Sequence, residues 1–357
     1  MAGKKKKSTK SKPVADKSSK GKRAQLEGLA EKINTALGVS GKVYLGSKTP
    51  KWSRRRTGIA ALDYVLGGGL PRGHLVMFTG GESSFKSSAA LISIAQIQED
   101  DPEAWTVWLA GEGFDSEWAQ TWGVDLSRVL VVSTTTGDTA LETAITLLET
   151  GCVALMVFDS VQSLGTEREM EGGVDSESYA GAGAPQLWGR VMRRVYAATN
   201  AGCDACMIGI SQVRSKIGGY SGGAPPQPEG SQIWALKHWK SIDVYFRKGE
   251  VEKVGDDERM VVKWREFKLK SVKNKTATPD KHSSFKIKYG SHGPVIDNIA
   301  TFVKLGLRYE LITQTGAWYE GLGVERTHGL DKFLAKLRRD PELVSACEHQ
   351  LRERYSA

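Results

Sequence analysis

The sequence predicts an α/β fold with a mainly parallel central sheet, and three observations carry that prediction. From Thr57 to about Val251, short apolar runs alternate with stretches of helical periodicity, as a parallel sheet with crossover helices requires. One of those runs passes through a Gly/Ser-rich turn, ending in Lys86-Ser87, into a helix. Polar residues able to do chemistry then close the later runs, at the strand ends where open α/β sheets bind ligands.

Residues 1–24 read as a disordered basic arm, rich in Lys and Ser and nearly free of apolar side chains. Within the first 23 residues ten Lys or Arg stand against Asp16, a net +9 that equals the formal charge of the whole 357-residue chain. Such an arm attracts nucleic-acid phosphates, with affinity falling by roughly 0.7 in log–log slope per phosphate neutralised on a single strand; the alternative is a solubilising tail. Gln25 to Gly38 then sets Leu26, Leu29, Ala30, Ile33 and Leu37 at helical spacing. A short amphipathic helix without a core of its own must pack on something, either this chain's body or a neighbouring subunit, and residues 25–56 are assigned to this helix and a linker.

Leu75-Val76-Met77-Phe78 reads as a buried strand, and Ser88 to Ala95 as the helix after it. Further strands are predicted over Thr106–Ala110, Val129–Ser133, Ala154–Phe158 and Met207–Ser211. Helices are predicted over Thr139–Glu149, with Leu141, Ala144, Ile145 and Leu148 on one face, and over Leu187–Thr199. Gly165–Pro185 and Arg214–Gln232 are too long and too rich in Gly, Ser and Pro for ordinary connections, which makes them candidate functional loops. Residues 57–284 form the predicted core and 285–357 a small α/β C-terminal domain. Its last helices are Asp331–Arg339 and one running to Arg354, opened by Asp340 as N-cap and Pro341 in the first turn. Lys332, Lys336, Arg338 and Arg339 either gather duplex DNA or form a solvated face.

No apolar run approaches a membrane span and the N-terminus is unlike a signal peptide, so a cytoplasmic location without membrane partners is expected. Cys152, Cys203, Cys206 and Cys347 are too few and scattered for a disulfide framework, and the lone CxxC at Cys203 and Cys206 reads as structural.

The chemistry concentrates in Thr79-Gly80-Gly81-Glu82-Ser83-Ser84-Phe85-Lys86-Ser87-Ser88, a near match to the Walker A pattern with Phe85 where a second glycine is usual. Successive backbone N–H groups at a helix N-terminus cradle phosphate oxygens. Lys86 would sit on the β- and γ-phosphates of ATP, and the Ser87 hydroxyl on Mg2+. A phenylalanine is compatible with that cradle when its ring points away from the phosphates. Asp159 follows an apolar run in the Walker B manner and reaches the Mg2+ shell. Glu112, in Ala110-Gly111-Glu112-Gly113, can orient a water for in-line attack. Gln212 ends a strand and opens the second irregular loop, so its amide can bond the γ-phosphate on one side and the loop on the other.

With these residues stands a collinear set: Thr57-Gly58, Leu62-Asp63, Gly67-Gly68-Gly69-Leu70-Pro71-Arg72-Gly73, Gly123-Val124-Asp125, Asp159-Ser160-Val161, Gln212 to Gly218, Val272-Lys273-Asn274-Lys275 and Gly316-Ala317-Trp318-Tyr319. The chain resembles the RecA-type DNA recombinases over nearly everything from Gln25 to Tyr355, and Phe85 before Lys86 is similar to the P-loop of the phage UvsX-type members. The resemblance implies a RecA-like P-loop NTPase core, a polymerisation helix at Gln25–Gly38, and a DNA-dependent ATPase that forms a helical filament on single-stranded DNA and exchanges strands with duplex DNA, in a bacterial or phage-infected cell. It implies nucleotide and Mg2+ on residues 80–88 and Asp159, Trp118 over the adenine, Glu112 as catalytic carboxylate and Gln212 as coupler. Lys273 and Lys275 would act in trans on the ATP of a neighbouring subunit. Arg214, Lys216, Gly218 and Tyr220 would contact DNA from loop two, with loader or single-strand-binding proteins as further partners. Departures are the Pro-rich Ala224 to Pro228, Ser231-Gln232-Ile233-Trp234 where glycines are common, and an ending at Arg352 to Ala357 without an acidic tail, which implies less restrained duplex capture. Competing readings are a RecA-fold ring helicase or repair ATPase, and a non-catalytic protein that coats single-stranded DNA or acts as a mediator.

Overall fold

The computed structural model describes residues 17–38, 43–48, 52–134, 136–164, 183–213, 236–255, 261–291 and 293–355. It divides into two units, Met1–Lys51 and Trp52–Ala357.

The first unit holds helix α1, Lys17–Leu37, which starts inside the segment expected to be disordered. Residues 17–24 are helical, with Lys17, Lys20, Lys22, Arg23 and Ala24 as helix formers that carry the helix back from the apolar stripe. Leu26, Leu29 and Leu37 remain 58%, 50% and 40% exposed. Asn34 both donates to the Val43 carbonyl (3.0 Å) and accepts the Val43 N–H (2.6 Å), folding the chain back on the helix.

In the second unit, β1 (Arg54–Arg55) and β2 (Leu70–Pro71) flank helix α2 (Ala60–Leu66). Asp63 accepts the Thr57 N–H (3.0 Å) and hydroxyl (2.8 Å), and burial pushes its carboxyl up to about 7. The main sheet contains β3 (Leu75–Gly80), β4 (Trp105–Ala110), β5 (Val129–Val132), β6 (Val153–Asp159), β7 (Cys206–Gln212), β8 (Ile242–Val254), β9 (Val261–Asn274), β10 (His282–Gly290) and β11 (Gly293–Ile296). Its order is β11-β10-β9-β8-β3-β7-β6-β4-β5. From β8 to β5 neighbours run parallel, and from β8 to β11 antiparallel.

The central strands are apolar throughout because both faces are covered. Along β3, Val76 and Phe78 join one core while Leu75 and Met77 join the other; along β6, Leu155 and Val157 oppose Met156 and Phe158. The first core is closed by α2 and by α3 (Lys86–Asp100). The second is closed by α5 (Gly137–Glu149) and α6 (Gly183–Asn200), with Trp188 fully buried; the short helix α4 (Ser116–Thr121) stands beyond β4. Helix α6 therefore takes in the last three residues of the first predicted loop, and the rest of that loop lies outside the described residues.

The antiparallel half is the part that the sequence reading lacked. Charged residues such as Arg247, Lys248, Lys268 and Lys286 break its apolar runs, yet Phe246, Phe267, Leu269, Phe285 and Ile287 are buried on alternate positions. Strand β10 spans residue 285, so the predicted domain boundary there falls inside the main sheet. The chain beyond it packs α7 (Asn298–Arg308), β12 (Ile312–Thr315), β13 (Trp318–Gly321), β14 (Val324–His328) and α8 (Leu330–Arg339) around a small core centred on Phe333. Helix α9 (Pro341–Tyr355) returns to the main body, where the Tyr355 ring meets Tyr64 at 5.5 Å and its carbonyl accepts Lys281 Nζ at 2.6 Å. Among the described residues no helix is long and apolar enough to cross a membrane.

Candidate functional site

Strand register brings several of the candidate residues to one edge. Gly80 lies level with Gln212 and Ala110 with Asp159, so the carboxyl ends of β3, β7, β6 and β4 open onto one edge. Gly80 has to be glycine: a Cβ there would fall 2.4 Å from the Phe246 carbonyl oxygen. Ser83 (φ 52°) and Phe85 (φ 79°) turn the loop through left-handed conformations before α3 begins at Lys86. For a side-chain-bearing residue that conformation costs about 1–2 kcal/mol. The Phe85 ring offsets it by packing on Phe267 (4.9 Å), Trp122 (5.3 Å) and Phe285 (5.7 Å); aromatic pairs contribute about 0.5–1.5 kcal/mol each beyond area burial.

Lys86 is buried and donates from Nζ to the carbonyls of Gly80 (3.1 Å) and Gly81 (2.7 Å). Burial lowers its ammonium from the ordinary lysine range, against Asp159, Glu112 and Glu82, which favour the charged form. Burial likewise raises Asp159 to about 6, opposed by the Ser87 hydroxyl that donates to it and by Lys86, while Glu112 adds to the rise. Ser87 and Asp159 supply two hard oxygen donors side by side. That set suits Mg2+, which binds one or two protein oxygens with substrate phosphates and keeps several waters.

Glu112 accepts the Ser160 hydroxyl (2.5 Å) and the Gln212 amide (3.1 Å) on its carboxylate, and its N–H donates to the Asp159 carbonyl (3.0 Å). The Gln212 backbone is held in turn by Gln162 Nε2, which donates to its carbonyl at 3.0 Å. Trp118 stands on α4, whose N-cap Asp115 accepts the Trp118 N–H at 2.9 Å, and its Nε1 donates to Ser88 Oγ at 3.2 Å. Lys86, Ser87, Glu112, Trp118, Asp159 and Gln212 line one cleft of about 660 Å³. Lys248, Arg265 and Tyr289 also line it, and sequence reading missed them because they come from the unrecognised antiparallel half. Gln162 was missed, and Ser160 was noted only within Asp159-Ser160-Val161 without a role, because a polar side chain after a strand carries no pattern of its own.

Lys273 and Lys275 are not brought to this cleft. Asn274 pairs with Ile242, which lies level with Val76 near the start of β3, whereas Gly80 at the other end lies level with Phe246. Their ammonium groups donate to the carbonyls of Lys237 (2.7 Å) and His238 (3.1 Å), just beyond the second loop. Burial and the neighbouring Lys275 and Lys240 lower Lys273. Arg214, Lys216, Gly218 and Tyr220 lie outside the described residues. Arg338, expected among the basic residues of α8, pairs with Asp297 at 2.9 Å instead, because α8 packs beside the N-cap of α7. Cys206 is buried, donates to the Leu70 carbonyl, and is pushed up to about 12 by burial.

The RecA N-terminal domain family model matches residues 24–293. "Protein RecA" of Brevibacillus brevis is 32% identical over 337 residues, covering 94% of this chain and 92% of that protein. "Protein RecA" of Bacillus subtilis is 31% identical over 336 residues with coverage of 94% and 92%. That of Symbiobacterium thermophilum is 35% identical over 301 residues, with coverage of 84% and 82%.

Proposed function

This chain belongs to the RecA family and is an ATP-dependent DNA recombinase with DNA-dependent ATPase activity, and from that premise we propose how its own residues divide the work. One observation carries the proposal: Lys86, Ser87, Asp159, Glu112 and Gln212 meet in a single cleft at the carboxyl edge of the parallel strands.

In this reading the loop N–H groups and Lys86 hold the triphosphate, and Trp118 covers the base. Ser87 and Asp159 hold Mg2+, which neutralises phosphate charge when bound. Glu112 orients the attacking water and takes its proton. Gln212, bonded to Glu112 and standing two residues before the second loop, passes the state of that loop to the carboxylate. Lys273 and Lys275 serve a neighbouring protomer's nucleotide, which accords with their distance in the sheet from their own loop. The exposed leucines of α1 dock on the next protomer of a filament.

DNA binding rests on Arg214, Lys216, Gly218 and Tyr220 for the single strand. A second surface, cationic on balance, supports duplex capture: a groove of about 670 Å³ whose lining includes Arg247, Lys268, Lys270, Lys304 and Arg308, with Glu266 paired to Lys268. Loader and single-strand-binding proteins are further partners.

The test is ATP hydrolysis with and without single-stranded DNA, beside Lys86→Ala. We expect DNA to raise turnover and the variant to lose more than about 100-fold in kcat/KM. DNA binding with no hydrolysis in either condition would instead support a coating protein. Electron microscopy of the same samples separates open filaments from the closed rings of a helicase.

A further inference from the structure

The ring that replaces the usual P-loop glycine is built into its surroundings. We propose that Phe85 is a positioning residue that clamps the phosphate loop between the antiparallel half of the sheet and the aromatic wall on the base side of the cleft. The assignment rests on the nucleotide site proposed above.

Three elements supply the clamp. Phe267 on β9 and Phe285 on β10 are directly paired across the strands, with their rings stacked at 5.8 Å. Phe85 lies stacked on Phe267 at 4.9 Å and tilted on Phe285 at 5.7 Å. On its other side Phe85 meets the edge of Trp122, the C-cap of α4, at 5.3 Å.

Trp122 then meets Trp118 edge-on at 5.6 Å, and Trp118 Nε1 donates to Ser88 Oγ at 3.2 Å. Lys86 and Ser87 are thereby bracketed: Phe85 before them and Ser88 after them are both tied to the same pair of tryptophans. A glycine at 85 would leave the left-handed turn free to relax. A stacked ring removes that freedom before nucleotide arrives, and a preordered loop loses less entropy on binding. The clamp also joins the residue expected to cover the base to the loop expected to hold the phosphates, and joins both to the strands that carry Lys248, Arg265 and Tyr289 into the cleft.

The experiment uses the full chain, with steady-state ATP hydrolysis on single-stranded DNA and direct binding of a fluorescent ATP analogue, for wild type, Phe85→Gly, Phe85→Tyr and Phe267→Leu. Phe85→Gly should raise KM for ATP, and weaken analogue binding, by about tenfold while kcat stays within about twofold. Phe85→Tyr, which keeps the ring, should restore wild-type KM, and Phe267→Leu should move KM in the same direction as Phe85→Gly. Should Phe85→Gly fail to fold by circular dichroism, Phe267→Leu carries the test. An unshifted KM in both variants overturns the clamp, as does a fall in kcat that tracks lost thermal stability without a change in KM, the mark of a purely structural ring. Wild type that binds no nucleotide overturns the site itself and the clamp with it.

Discussion

At the scale of single residues, the site is a set of groups whose charge depends on neighbours. Asp159 is raised by burial to about 6, so its carboxyl is ionised above that pH and neutral below it. Only the ionised form can hold Mg2+. The Mg2+ concentration needed for half-maximal hydrolysis should therefore rise as pH falls from about 7 to 5, and a titration at each pH checks it; no change across that window would remove Asp159 from the metal shell. That Lys86, Ser87, Glu112, Asp159 and Gln212 gather in one cleft was legible from type and order, because a near-Walker A loop and polar residues after successive strands are local patterns. How they pair was not. The Glu112–Gln212 bond links residues a hundred positions apart through strand register, and no spacing in the sequence encodes a 3.1 Å contact between them.

At the scale of elements, strands buried on both faces were readable and strands with one charged face were not. A run such as Leu75 to Phe78 signals burial by composition alone. In β8 and β9, alternation with lysine and arginine spreads the same signal over 13 and 14 residues, where it resembles solvated chain. Helix caps were more legible, because one side chain and one N–H define them. Asp340 Oδ1 accepts the Leu343 N–H at 2.9 Å, at the position predicted from Asp340-Pro341. Asp340→Ala should lower stability by about 1 kcal/mol, read as a shift in the urea midpoint with unchanged slope, and should leave ATP affinity as it is. An unchanged midpoint would mean that the cap contributes nothing.

At the scale of the whole molecule, the candidate cleft lies entirely within Trp52–Ala357, while α1 belongs to the other unit. Removing residues 1–51 should therefore leave a folded protein that binds ATP but forms no filaments on single-stranded DNA, seen by electron microscopy and analogue binding together. Filaments from the truncated chain would show that α1 is not the polymerisation element. The separation of Lys273 and Lys275 from the loop end of β3 belongs to this scale too, since a role for them on nucleotide needs a second copy of the chain.

The sequence by itself determined the α/β class, the phosphate loop, the order of the carboxylates behind it and the family, because each is written in local composition or in collinear motifs. Only the tertiary structure decided where the Phe85 ring goes, that Lys248, Arg265 and Tyr289 enter the cleft, that Arg338 is occupied by Asp297, and that β10 belongs to the main sheet. The reason is the same in each case. These features depend on which strands and helices lie side by side, and that choice is made by the packing of residues far apart in the chain.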